Sequence, residues 1–191
     1  MNSLSTFSTI AKQTAIAAAI AFFMLLTRGS HTLTPFNLPD ASLVIFLLGG
    51  LWLRRTSWFV ALFALATCID FGAAALDPAQ GFCLTNGYWG LILSYGVMRL
   101  GGLWLSKKQD AFAPLSYTLI STLTTFVAFA FSTQTYYLFS GRFPAQGLIE
   151  SMKHGWEYLP SWMGFAGMYF AIVWLGVTLF RSIIAFRISK A

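Results

Sequence analysis

SWFVALFALATCIDFGAAAL, residues 57–76, decides the fold. One charge, Asp70, interrupts an apolar run as long as the ~20 residues a helix needs to cross a bilayer. Working outward, similar runs recur at 10–27, 41–53, 87–105, 114–133 and 161–180. The second of these is short, and reads as a helix walled in by its neighbours. The chain is 57% hydrophobic and 9% charged, where a soluble domain carries about 25% charged residues. Aromatic residues make up 17%, as expected of rings that meet acyl chains and lie at the interfaces. These features predict an all-α membrane protein with six transmembrane helices in one domain, residues 1–191.

Charge placement gives the orientation. With six spans, Lys12, Arg54, Arg55, Arg99, Lys107, Lys108, Arg181, Arg187 and Lys190 fall on one side, which is nine of the 12 Lys and Arg. Arg28, Arg142 and Lys153 fall on the other. The positive-inside rule then places both termini in the cytoplasm. The first apolar run has one early cation, Lys12, and no clear small-residue cleavage site, so it reads as a span and not as a signal peptide. No basic cluster interleaved with aromatics points to nucleic acid. No Gly-x-x-x-x-Gly-Lys-Ser/Thr loop is present to bind a nucleotide phosphate, so uphill transport would need a partner or an ion gradient.

The outer connections, 28–40, 77–86 and 134–160, collect the chemically varied residues. Cys83 stands in the polar break QGFCLTNGYWG, residues 80–90. Gly81, Thr85, Asn86 and Gly87 argue for a turn there. A thiol near water keeps some thiolate character, and the thiolate is both nucleophile and soft metal ligand. The bland alternative is a small buried hydrophobe. A disulfide to Cys68 is disfavoured by depth, because Cys68 lies near the middle of its span and bridged Cα atoms sit within ~7 Å.

Asp70 lies about 9 Å below the outer end of its span at the helical rise. An acid at that depth should face the bundle interior or a wet cavity, bonded to Ser, Thr or Tyr, or serving function. Arg99 is a poorer partner, since it snorkels toward the cytoplasmic end. Phe82, Asn86, Tyr88 and Trp89 surround Cys83 in sequence. Interfacial anchoring is the plain reading of the rings; a flat wall for a large ring ligand is the sharper one, with Tyr136, Tyr137, Tyr158 and Trp162 as the opposite wall. His31 and His154 lack metal-ligand spacing and read as loop residues. Asp40, after Pro39, reads as an N-cap. Ala11, Ala15 and Ala19, with Ala17 and Ala21, let another helix come close, inside the bundle or on a partner.

An Ala-rich first helix, Asp70-Phe71-Gly72 in the third span and CLTNGYWG at residues 83–90 together resemble the substrate-binding S-components of energy-coupling-factor (ECF) vitamin transporters. The resemblance is to the solitary, cobalamin-specific (BtuM-type) group. It implies a six-helix S-component-like bundle in the bacterial cytoplasmic membrane, binding cobalamin at the outer face. It further implies Cys83 as the axial cobalt ligand, with Asp70 and Tyr88 lining the pocket. Ala11, Ala15, Ala19 and Ala21 would face an ECF coupling module. A thiolate is a strong axial donor, so displacement of cyanide from cyanocobalamin is a further expectation. Two other readings stay open: a membrane enzyme using Cys83 as nucleophile with Asp70 or a His as base, and a structural or assembly protein with no ligand.

Overall fold

The structure, a computed structural model, describes residues 2–28, 38–143 and 148–190, without the side chains of 2–9 and of Leu148. Every regular element among them is helical: α1 (Asn2–Arg28), α2 (Ser42–Leu48) with a π-helical extension (Gly49–Leu53), α3 (Thr56–Leu76), α4 (Leu91–Leu105), α5 (Pro114–Phe139), α6 (Leu148–Ser151) and α7 (Leu159–Ser189). Two 3-10 turns, Pro78–Cys83 and Asn86–Gly90, join α3 to α4.

Four helical segments are long and apolar enough to cross a membrane: Ile10–Arg28, Thr56–Leu76, Pro114–Phe139 and Ile149–Ser189. Helices also cover the second and fourth expected spans, but they are shorter. Ser42–Leu53 comprises 7 and 5 residues, about 18 Å at 1.5 Å per residue, against a ~30 Å hydrocarbon core. α4 has 15 residues.

Helix α5 shows how the sequence is sorted between lipid and bundle. Leu115, Leu119 and Leu123, four apart, are 58–73% exposed. The opposite stripe, Tyr117, Ser121, Thr125 and Ala128, is buried. Lipid tails are as apolar as leucine, so helices associate through close backbone approach and interhelical hydrogen bonds. Ser94 Oγ accordingly donates to the Ala128 carbonyl at 2.8 Å. On the α2–α4 contact, a side chain at Gly102 would land on the Leu47 carbonyl, and one at Gly50 on the Arg99 carbonyl.

The short α2 is the centre of the bundle. Val44, Ile45, Phe46 and Leu47 are at most 1% exposed, and α2 packs against α1, α4, α5 and α7. The expectation that neighbours wall it in therefore holds. Because α2 stops short, its Ser42 end leaves space between the longer helices around it. The far end is tied by Arg99 to the Arg54 carbonyl (2.8 Å), Arg54 to the Ser106 carbonyl (3.1 Å) and Arg181 to Asp110 (2.9 Å). In α1, Ala17 and Ile20 are buried while Ala11, Ala15 and Ala19 are exposed. Internal packing thus accounts for Ala17 but not for the other three.

Candidate functional site

Above the Ser42 end of α2 lies a cavity of about 450 Å³, within the range that holds small-molecule ligands. Its floor is a polar network built on Arg28, the last residue of α1. Arg28 Nε and Nη2 donate to the two carboxylate oxygens of Asp70 at 2.7 and 2.6 Å. Nη1 donates to Ser42 Oγ (2.7 Å), Tyr95 Oη (2.6 Å) and Asp40 Oδ2 (3.2 Å). Tyr88 Oη donates to Asp70 Oδ2 at 2.9 Å. A guanidinium is suited to this place because its planar fork matches a carboxylate with two parallel bonds. Tyr95 is held in turn by stacking on Phe46 of α2, with centroids 4.2 Å apart.

Arg28 is the site residue that sequence reasoning missed. The sequence places it in the outer connection, whereas in the structure it ends α1 and is the bidentate partner of Asp70, 42 positions away. The signal that existed was a single Arg ending a span at the depth side of Asp70. The N-cap of α2 falls on Ala41 and not on Asp40 as expected; Asp40, one residue earlier, accepts from Ser42 N at 2.9 Å and belongs to this network.

The wall toward α3 and α4 comes from two 3-10 turns. Asp77 starts the first by accepting from Ala79 N at 3.0 Å, with Pro78 at the first helical position. It delivers Phe82 and Cys83 to the cavity. Thr85 Oγ1 accepts from Gly87 N at 3.3 Å and starts the second. Gly87 and Gly90 lie so close to Thr135 and Tyr136 of α5 that no Cβ would fit, and this close approach turns Tyr88 inward. The cavity's other wall includes Tyr136, Tyr137, Tyr158 and Trp162, the four rings expected there, together with Phe143, Ser132 and Thr133.

Of the residues singled out in the sequence, Asp70, Phe82, Cys83 and Tyr88 line the cavity. Asn86 and Trp89 do not: Asn86 is exposed, and Trp89 is 54% exposed with its ring against the Tyr88 edge. The reason is the 3-10 turn, in which successive side chains point about a third of a turn apart, so Tyr88 can face in only if its neighbours face away. His154 stacks on Tyr137 at 5.7 Å and does not line the cavity. His31 lies outside the described residues.

Both cysteines are free. Cys83 has no hydrogen-bond partner among the described residues. As expected of a residue in a turn near water, Cys83 is exposed. Partial desolvation at the cavity wall still pushes the thiol above its ordinary range, and the Asp70 carboxylate adds to this, while Arg142 and Arg28 act the other way. The resting group is therefore more thiol than a loop cysteine in water. Among the described residues no three His, Cys, Asp or Glu gather to cage a bare metal ion. The site instead offers one soft donor beside flat rings.

Fold and cavity define a class: a helical membrane protein with a solute-sized, aromatic-walled cavity at one end of its bundle, floored by a buried ion-pair network. No protein-family model matches the chain, and no curated protein matches it.

Proposed function

We propose that the protein binds a corrinoid, cobalamin, for uptake across the bacterial cytoplasmic membrane, as an S-component-like bundle of six spans with both termini inside. The observation that carries this reading is the convergence of Cys83, Asp70 and Tyr88 on one cavity opposite Tyr136, Tyr137, Tyr158 and Trp162. Cobalt arrives with four corrin nitrogens already bound and needs only an axial donor. A single thiolate meets that need where a bare ion would require several ligands. The rings supply flat apolar contact, and the tyrosine and serine hydroxyls can meet peripheral amides. A whole corrinoid is larger than the drug-sized ligands that such a volume encloses, so the cobalt face would enter and the rest would lie across the mouth.

With cyanocobalamin the chemistry is ligand exchange. The Cys83 thiol gives up its proton to water, a Co–S bond forms, and cyanide leaves with its electron pair. No oxidation state changes. The outward-facing Ala11, Ala15 and Ala19, with the half-buried Ala21, would meet the coupling partner. The nucleophile reading has less support: Asp70 is engaged by Arg28 and Tyr88, and among the described residues Cys83 has no hydrogen-bonded base.

The test is the visible spectrum of protein loaded with cobalamin, compared between wild type and Cys83→Ser. The reading requires a thiolate-ligated cobalt spectrum that the substitution abolishes. An identical ligand field in the two proteins, or native mass spectrometry finding no cobalt compound after growth with the vitamin, would remove it.

A further inference from the structure

The turn Pro78–Cys83 buries none of its residues, so apolar packing does little to fix it, and such segments open locally at low cost. Yet it carries the sulfur. Its beginning is fixed by the Asp77 cap and by the approach of Gly81 to Ala74 of α3. Its end is held from across the cavity. The guanidinium of Arg142 lies 3.9 Å over the Phe82 ring, and its Nη2 donates to the Phe82 carbonyl at 3.0 Å. Phe82 is the residue immediately before Cys83. Arg142 reaches back because Gly141 has φ +72°, a conformation glycine adopts freely, and because Arg142 N donates to Ser140 Oγ at 3.3 Å. The same contact closes a row of rings, Phe82–Tyr136–Phe143, with centroids 6.1 and 6.2 Å apart. One side chain thus joins the connection bearing the thiol to the connection bearing the opposite wall.

We propose that Arg142 is the positioning residue for Cys83: stacked on Phe82 and bonded to its carbonyl, it fastens the Pro78–Cys83 turn against the α5 wall, so that the sulfur is presented to the cavity. An arginine suits the role because it stacks flat and donates in plane at once, which a lysine ammonium does not. The inference deepens the ligand reading above, since it explains how the donor atom is held. Its mechanical half stands without any ligand.

Hydrogen–deuterium exchange of the full chain in lipid nanodiscs tests that half. In Arg142→Gln the amides of residues 80–85 should exchange about tenfold faster, the scale of one charge-assisted hydrogen bond, with α3 and α5 unchanged. Arg142→Lys should recover part of the protection through its charge over the ring. Phe82→Leu, which keeps the carbonyl but removes the stack, gives an intermediate rate and serves if Arg142→Gln does not fold. Cobalamin titration of the same proteins supplies the second readout: the thiolate-ligated spectral fraction should fall in Arg142→Gln and partly return in Arg142→Lys. Unchanged exchange in Arg142→Gln overturns the proposal, even if cobalamin binds more weakly, because Arg142 would then be a ligand contact. Faster exchange in a protein that shows no cobalamin binding at all supports Arg142 as the fastener and removes the corrinoid reading instead.

Discussion

Replacing Arg28 by Met should be the most damaging single change at the cavity floor. The substitution keeps a long unbranched chain but leaves two carboxylates without their cation. The Arg28 side chain is 9% exposed and Asp70 20%, so water screens this pair little. Breaking a buried pair from one side costs about 3–5 kcal/mol, because the remaining charge is stranded. Asp70→Asn should cost less, about 1–3 kcal/mol. Arg28 would keep Asp40, Ser42 and Tyr95, and the amide oxygen can still accept from Tyr88. Asp40 is 49% exposed, so Asp40→Asn should cost only about 1 kcal/mol, mostly as a weakened, water-screened pair with Arg28. The double variant Arg28→Met/Asp70→Leu should recover stability relative to Arg28→Met, since nothing charged is left between α1 and α3. Thermal unfolding in detergent, followed by tryptophan fluorescence, reads these differences. A chain of this size shifts by roughly 2–4 °C per kcal/mol, so Arg28→Met should lower Tm by roughly 6–20 °C. If Asp40→Asn proves as costly as Arg28→Met, or if Arg28→Met melts within a degree or two of wild type, the network does not hold the floor and the reasoning fails.

Other outcomes follow from the same geometry. In a Cys68→Ala background, alkylation of Cys83 should reach half of its high-pH rate only above about pH 8.5, the midpoint of an ordinary thiol, because desolvation at the cavity wall holds it protonated; a half-maximal rate at or below that pH contradicts this. Gly102→Ala should lose about 1–3 kcal/mol by overpacking α2 against α4, while Gly96→Ala, with open space beside it, should be neutral or slightly stabilising in the same melting assay. Asp110 is held below the ordinary carboxylate range first by the Phe112 N–H and then by Arg181. Its contribution is therefore present above the unfolded value of about 3.9 and lost as pH falls through the lower folded value. The melting difference between wild type and Asp110→Asn should be seen at pH 6 and should vanish at strongly acid pH; a difference that persists there would show that the ion pair is not its source.

Helix identity was readable from composition because lipid imposes it. Backbone groups have no water to bond, so long apolar runs must become helices wherever the chain places them. Residues 57–76 and 114–133 are cases of this kind: α3 spans Thr56–Leu76 and α5 starts at Pro114, the proline itself marking a helix start. The four rings of the far wall were readable too, since they cluster in one connection and the first turns beside it. Boundaries were less so. α5 continues to Phe139 and α7 to Ser189, beyond where hydropathy weakens, because polar residues at helix ends can reach headgroups and cost nothing.

What the sequence determined alone was therefore the medium, the helical class, and the isolation of Asp70 and Cys83 as residues that packing does not require. Tertiary structure decided their partners. Asp70 meets Arg28, Tyr88 faces in while Trp89 faces out, and Arg142 grips Phe82 from 60 positions away. The physical reason is that apolarity is a property of each segment, summed along the chain and legible in order. A hydrogen bond or an ion pair depends on the rotation and depth of two helices at once, and these are fixed only when the short α2 and its glycine contacts set how closely the longer helices approach.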